Sequence, residues 1–210
     1  MPVPTPTLPR WMLVPDPTRR RADTRRRILD AAIELLTEAG YQRLTVEGIA
    51  ARAGVGKQTI YRWWPTKGAV VLDAFLDRAE NAEADEPGLP ATGDLATDLR
   101  VLLRATVAEF SDVAFEAPYR ALVVAMQDDP DLAEQVTDRI TRASGDVVRD
   151  WLRDARAAEG LDAEVDVDVV LDVMFGPIMR RWLLRTDPLD EAFADGLADA
   201  VLRVLGVSGR

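Results

Sequence analysis

Lys57, Gln58 and Thr59 stand directly after the triplet Gly54-Val55-Gly56 and open a short apolar-periodic stretch. At a glycine-hinged helix start, outward side chains and the positive end of the helix dipole face the same way. The Gln58 amide donates and accepts at once, the bidentate match to an adenine edge, whereas Lys57 can serve a guanine edge or a phosphate oxygen. Other chemistries find little support. The chain has no Cys and no His, which removes thiolate zinc sites, disulfides, the commonest general base and every Ser/His or Cys/His triad. One dense carboxylate cluster remains, Asp162, Glu164, Asp166 and Asp168; on a helix these groups spread around the face, and solvation explains them. No Gly-rich phosphate loop or nucleophile motif occurs. The expectation is no catalytic residue, no metal and no cofactor; a carboxylate- or Tyr-dependent enzyme is the weak alternative.

A net charge of −10 over 210 residues argues superficially against a polyanionic partner. The average hides two opposite halves. Residues 1–67 hold 12 Lys/Arg against 6 Asp/Glu, and residues 68–210 hold 14 against 30. One cationic end on an acidic body suits a protein that presents a single face to a polyanion. The Arg clusters at 19–21 and 25–27 have two readings: solvated charges on a tail and helix start, or an arm that follows a phosphate backbone or enters a minor groove. The longest apolar run, Ala121 to Met126, is far short of the roughly 18 residues of a membrane helix. Met1 to Pro17 carries six of the thirteen prolines and makes a poor secretory signal. A cytoplasmic protein with a flexible tail over residues 1–20 is expected.

Helical periodicity dominates the remainder. Ile28, Ala31, Ala32, Leu35, Leu36 and Ala39 form one stripe, started by Asp23 or Thr24 and stopped by a left-handed Gly40. Thr45 caps a short second helix through about Ala53. A third runs from Lys57 to about Trp63, stopped by Pro65, and Thr66 caps a fourth. After a linker at Glu86 to Gly93, apolar stripes predict helices carrying Leu95 to Phe110, a helix opened by Pro118, a long helix from Asp129-Pro130 to Gly160, and two last helices at 164–185 and 188–206, the final one capped by Asp187-Pro188. Val165, Val167 and Val169 alternate with aspartates as a strand would, but a lone strand has nothing to pair with. The predicted fold is all-α: a three-helix headpiece at 21–67 and a helical bundle at 68–210, about nine helices in total.

Two short helices joined by a glycine turn behind a basic first helix make a helix-turn-helix, whose second helix can enter the major groove. The string TVEGIAARAGVGKQTIYRWWPTK, Thr45 to Lys67, resembles the DNA-binding domain of the TetR family of bacterial transcriptional regulators, from about Arg25 to Leu76. FGPIMRRWLL at Phe175 to Leu184 and PLDEAF at Pro188 to Phe193 resemble the dimerisation helices of one of its subgroups. Base-edge candidates are Lys57, Gln58 and Thr59. The resemblance adds Tyr61, Trp63 and Lys67 as holders of the DNA backbone, and Thr45 as a cap that touches phosphate; Arg62 lies nearby. Ile49, Val55 and Ile60 should form the headpiece core. Gly56 replaces the usual Ser cap and Trp64 the usual Phe. Trp63 and Trp64 are also open to simple core packing.

The resemblance further implies a small-molecule cavity and a two-fold dimer through the last two helices. Phe110, Phe115, Met126, Trp151, Met174, Phe175, Met179 and Trp182 could line an apolar pocket or belong to ordinary bundle core. Dimer candidates are Val173, Trp182, Phe193, Leu197, Val201 and Val204. Pro177 should kink its helix, shaping either a pocket wall or the dimer seam. The expected protein is a homodimeric repressor that binds a double-stranded palindromic operator and is released by a small-molecule effector. A ligand- or protein-binding helical module with a non-functional headpiece is the alternative.

Overall fold

The computed structural model describes residues 17–83, 88–159 and 165–207, and among these only helices and connecting loops occur. Helix α1 spans Pro17–Ala39 and is followed by a 3-10 turn at Tyr41–Arg43. Then come α2 (Val46–Ala53), α3 (Lys57–Tyr61), α4 (Lys67–Glu83), α5 (Leu95–Ser111), α6 (Val113–Ala125), α7 (Pro130–Val136), α8 (Ala143–Glu159), α9 (Val167–Leu184) and α10 (Glu191–Val204). A π turn, Thr137–Arg142, joins α7 to α8 without a break, so the described residues carry nine helical rods.

Helix boundaries follow from short polar side chains that satisfy orphan amides. Thr45 Oγ1 accepts from the Gly48 amide at 3.0 Å, Thr66 Oγ1 from Ala69 at 3.2 Å and Asp129 Oδ1 from Leu132 at 3.1 Å, as expected from their positions. Asp166 caps α9 by accepting from Asp168, and the alternating valines enter a helix from Val167 onward. Four expectations change. The first helix begins at Pro17, ahead of Asp23 and Thr24, so residues 17–20 are its first turn and leave the tail; residues 1–16 lie outside the described residues. Gly40 has φ 76° and ψ 164°, a conformation essentially reserved for glycine but not the left-handed helical cap. Pro118 lies inside α6, because Asp112 caps that helix earlier by accepting from Ala114 at 3.0 Å. The final helix is capped by Asp190, which accepts from Phe193 at 2.8 Å, and starts after Asp187-Pro188. Glu86, where the linker was expected to begin, lies outside the described residues, as do Gly160, Asp162 and Glu164.

Two buried apolar clusters hold the helices. The first joins α1 to α4 with the inner faces of α6 and α7, centred on Ile28, Leu44, Ile49, Ile60, Leu72, Leu122 and Leu132. The second packs α5 against α8, α9 and α10 through Leu95, Leu99, Leu103, Leu152, Met174 and Val201. Arg100–Asp199 at 2.8 Å and Arg104–Asp195 at 2.7 Å lie along the α5–α10 contact. Among the described residues no helix is long and apolar enough to cross a membrane.

Candidate nucleic-acid interface

The α2–α3 pair is hinged at Gly54, whose φ of 65° and ψ of 41° place it in the left-handed region, where L side chains other than Asn and Asp are strained. Ile49 and Ile60 are fully buried and Val55 packs partly against the same cluster, so the inner sides of α2 and α3 form the expected headpiece core. That leaves the opposite side free. Thr45, Lys57, Gln58, Tyr61 and Arg62 are all exposed, whereas Thr59 and Trp63 are half-buried. Lys57 Nζ lies 3.8 Å from Glu47, an exposed pair that restrains the lysine only weakly.

A cleft of about 310 Å³ opens between α1 and the start of α3, lined by Arg21, Thr24, Arg27, Val55, Gly56, Thr59, Arg62 and Trp63. Three guanidinium groups thus share one wall system with the α3 N-terminus, and Arg62 also lies 5.5 Å from the Trp63 ring centroid. Arg21 and Arg27 belong to the two Arg clusters for which solvated charge at a tail and helix start, or an arm along the phosphate backbone or minor groove, were the two expectations, and both residues lie on α1. Their signal was present in the spacing: Arg21, Thr24 and Arg27 recur every three residues, the interval that puts side chains on one helical face.

Lys67 is placed differently. Its ammonium donates to the Tyr41 carbonyl at 3.0 Å and the Leu44 carbonyl at 2.9 Å, and sits 4.3 Å from the Tyr41 ring centroid. It therefore clamps the loop before Thr45 onto the start of α4. Trp64 is buried, and its indole donates to Asp73 at 2.9 Å, while Trp63 meets it edge-on at 5.4 Å. Asp73 also receives Arg25 at 3.1 Å and Arg139, from the π turn, at 2.8 Å. Burial pushes its carboxyl pKa up, but the three donors outweigh burial and hold it below the ordinary aspartate value. One carboxylate on α4 thus joins α1, the end of the helix-turn-helix and the α7–α8 rod.

The pocket candidates separate. Phe110, Phe115 and Trp182 belong to one aromatic network with Phe75 and Tyr119. Trp151 instead donates to the Pro90 carbonyl at 2.6 Å. Met174 is fully buried in the second cluster with Phe175 at its edge, Met126 borders the first cluster, and Met179 is half-buried. Among the dimer candidates, Leu197 and Val201 are only 7% and 0% exposed and belong to the chain's own α5–α10 core. Val173 and Phe193 are half-buried, Trp182 is buried and Val204 is exposed. The remaining exposed large apolar residues of α9 are Val169, Leu183 and Leu184.

Comparison with known proteins agrees with this geometry. The sequence profile described as bacterial regulatory proteins of the tetR family matches residues 28–74, and that of the tetracyclin repressor-like C-terminal domain matches residues 89–201. The chain is 33% identical over 178 residues to the uncharacterized HTH-type transcriptional regulator YdeS of Bacillus subtilis (strain 168), covering 85% of this chain and 87% of that protein. It is 34% identical over 183 residues to the DNA-binding transcriptional repressor TetR of Mycobacteroides abscessus, covering 85% and 91%. The crystal structure of the TetR family transcription regulator SCO0332 superposes with a TM-score of 0.68 at 32% identity, over 90% of this chain and 100% of that one. With a glycine-hinged helix-turn-helix beside an arginine-lined cleft and relatives matched over most of its length, the chain belongs to the TetR family of DNA-binding transcriptional regulators.

Proposed function

We propose that this regulator is a ligand-responsive repressor that binds a palindromic operator as a homodimer, with residues 21–67 as the DNA-binding unit and 68–210 as the ligand-binding and dimerisation unit. The observation that carries the reading is the exposed, cationic side of α3 with its flanking cleft. Lys57, Gln58 and Thr59 read base edges; Thr45, Tyr61, Arg62 and Trp63 hold the backbone; Arg21 and Arg27 extend that hold from the first turns of α1. Lys67 supports the surface by positioning Thr45, and any phosphate contact it makes comes in addition to that clamp. The effector acts by preferring the DNA-incompetent state, since a ligand with equal affinity for both states shifts nothing. The name of the Mycobacteroides abscessus relative, a repressor, supports the sign of regulation.

Selection of bound duplexes from a random pool tests the reading. The expected product is an inverted repeat with half-sites one helical turn apart, about 34–36 Å, or a multiple. Binding should weaken steeply with salt, because cations that neutralise phosphates release counterions. Recovery of no duplex at low ionic strength, or of sites without two-fold symmetry, overturns it.

A further inference from the structure

Glu47 is not among the residues assigned to DNA above, yet it stands beside one of them. The turn at Gly54 brings the first turn of α2 next to the first residue of α3. There the Glu47 carboxylate lies 3.8 Å from the Lys57 ammonium, with side chains 63% and 61% exposed. At that distance the two ions attract without sharing a hydrogen bond, so the ammonium hydrogens and the carboxylate lone pairs remain available to an outside partner. Arg52, at the other end of α2, differs: Glu34 at 3.0 Å and Glu38 at 2.8 Å already hold it. An exposed pair such as Glu47–Lys57 adds little to stability. On a surface that meets DNA, moreover, the phosphates repel a carboxylate, unless it accepts from a donor on the duplex. The major groove offers two such donors, the N4 amino group of cytosine and the N6 amino group of adenine.

We infer that Glu47 is a specificity-determining residue: it accepts from cytosine N4 while Lys57 donates to O6 and N7 of the paired guanine, so that the two ions read one G·C base pair across both strands. Glu47 can do so only if α3 reads base edges as proposed above, and the ion pair then names what is read there. Guanine O6 and cytosine N4 are hydrogen-bonded to each other, about 2.9 Å apart. An ammonium and a carboxylate separated by 3.8 Å can cover that acceptor and donor side by side. The order of groups also matches. Across the major groove a G·C pair shows acceptor, acceptor, donor, so the cation takes the two acceptors and the anion the donor. An A·T pair shows acceptor, donor, acceptor and then a methyl group. A carboxylate over the adenine amino group would be flanked by acceptors, and the ammonium would share thymine O4 with the methyl. Reading is directional for the same reason, because inversion to C·G sets the carboxylate against the guanine acceptors.

Selection of bound duplexes from a random pool, run in parallel with the full-length wild type, Glu47→Ala and Lys57→Ala, tests the assignment. The wild type should enrich a G·C pair of fixed orientation in each half-site, and both variants should relax that same position by about tenfold. Circular dichroism should show both variants folded, since neither side chain is buried. Base analogues then separate the two ions. Replacing the cytosine of the enriched site by a 2-pyrimidinone nucleotide, which lacks the 4-amino group, should weaken wild-type binding about tenfold more than binding by Glu47→Ala, the comparison cancelling the lost base-pair hydrogen bond. Replacing the guanine by 7-deazaguanine should weaken the wild type and Glu47→Ala but leave Lys57→Ala unchanged. A Glu47→Ala protein that binds all duplexes more tightly with an unaltered selected sequence overturns the inference, the carboxylate then acting only as a repelling charge. Relaxed positions that differ between the two variants, or an A·T pair at the shared position, overturn it as well. A wild type that binds no duplex overturns the base-reading surface itself.

Discussion

Gln58 is exposed at the start of α3, and Arg27 lines the neighbouring cleft from α1; the two side chains predict different losses. Gln58→Ala should relax specificity at one base position by about 1–3 kcal/mol, while Arg27→Ala should weaken all duplexes alike and flatten the salt slope by about 1. Binding titrations against single-base operator variants at several salt concentrations separate the two, and parallel, sequence-independent losses refute the base-reading role. Asp73 makes a separate prediction about pH. Its folded-state pKa is held down by Trp64, Arg139 and Arg25 against the opposing effect of burial. Its contribution is therefore present above the unfolded value, about pH 4, and is lost as pH falls through the lower folded value. Asp73→Asn should cost about 1.5–3 kcal/mol at neutral pH and lose less than the wild type as the pH falls below about 4. Urea unfolding at several pH values measures both, and curves that stay parallel throughout contradict this account.

Helices α4 and α7 meet at Gly68. A Cβ there would lie 2.6 Å from Leu132 Cδ2 and 3.3 Å from the Tyr41 hydroxyl, and Leu132 is itself fully buried. The clashing atom is the far end of a flexible side chain, but one packed inside the first cluster, so relief requires that cluster to repack. Gly68→Ala should therefore destabilise the chain by about 1–3 kcal/mol through overpacking. Trimming the neighbour in the double variant Gly68→Ala, Leu132→Val should return part of the loss, a non-additivity read by thermal or urea melts; strict additivity would show that the two helices are not in register as described. At the other end of the headpiece, Thr45→Ala removes the hydroxyl that caps α2 at a cost of about 1 kcal/mol. A loss of DNA affinity beyond that caused by unfolding then reports its contact with phosphate.

For the molecule as a whole, the homodimer proposed above would have to draw its surface from what the chain's own cores leave outside. On α9 the exposed or half-buried positions Val169, Val173, Gly176, Arg180 and Leu184 recur at three- and four-residue intervals, as do Ala192, Gly196, Ala200 and Val204 on α10. Added Cβ atoms at Gly176 and Gly196 meet nothing within 4 Å, so these faces can admit a second backbone closely. Leu184→Glu with Val204→Glu should give a folded monomer with weakened operator binding. Leu197→Glu should instead unfold the chain, because Leu197 packs within the protomer. Sedimentation together with circular dichroism distinguishes these outcomes, and a dimer that survives the paired glutamates places the interface elsewhere.

Helix type and order, the glycine hinge at Gly54, the caps Thr45, Thr66 and Asp129, and family membership were legible in the amino-acid order, because each depends on neighbours within a turn or two or on one short string. The true starts of α1 and α10 were less so: Pro17 and Asp190 compete locally with equally plausible stops nearby. Long-range consequences were not legible at all. That Lys67 is bound to the Tyr41 and Leu44 carbonyls, that Asp73 gathers three donors, that Leu197 and Val201 face α5, and that the Trp182 indole lacks an acceptor each depend on segments tens of residues apart meeting in space. Periodicity reveals that a residue faces inward; which partner it finds there is set by helix packing.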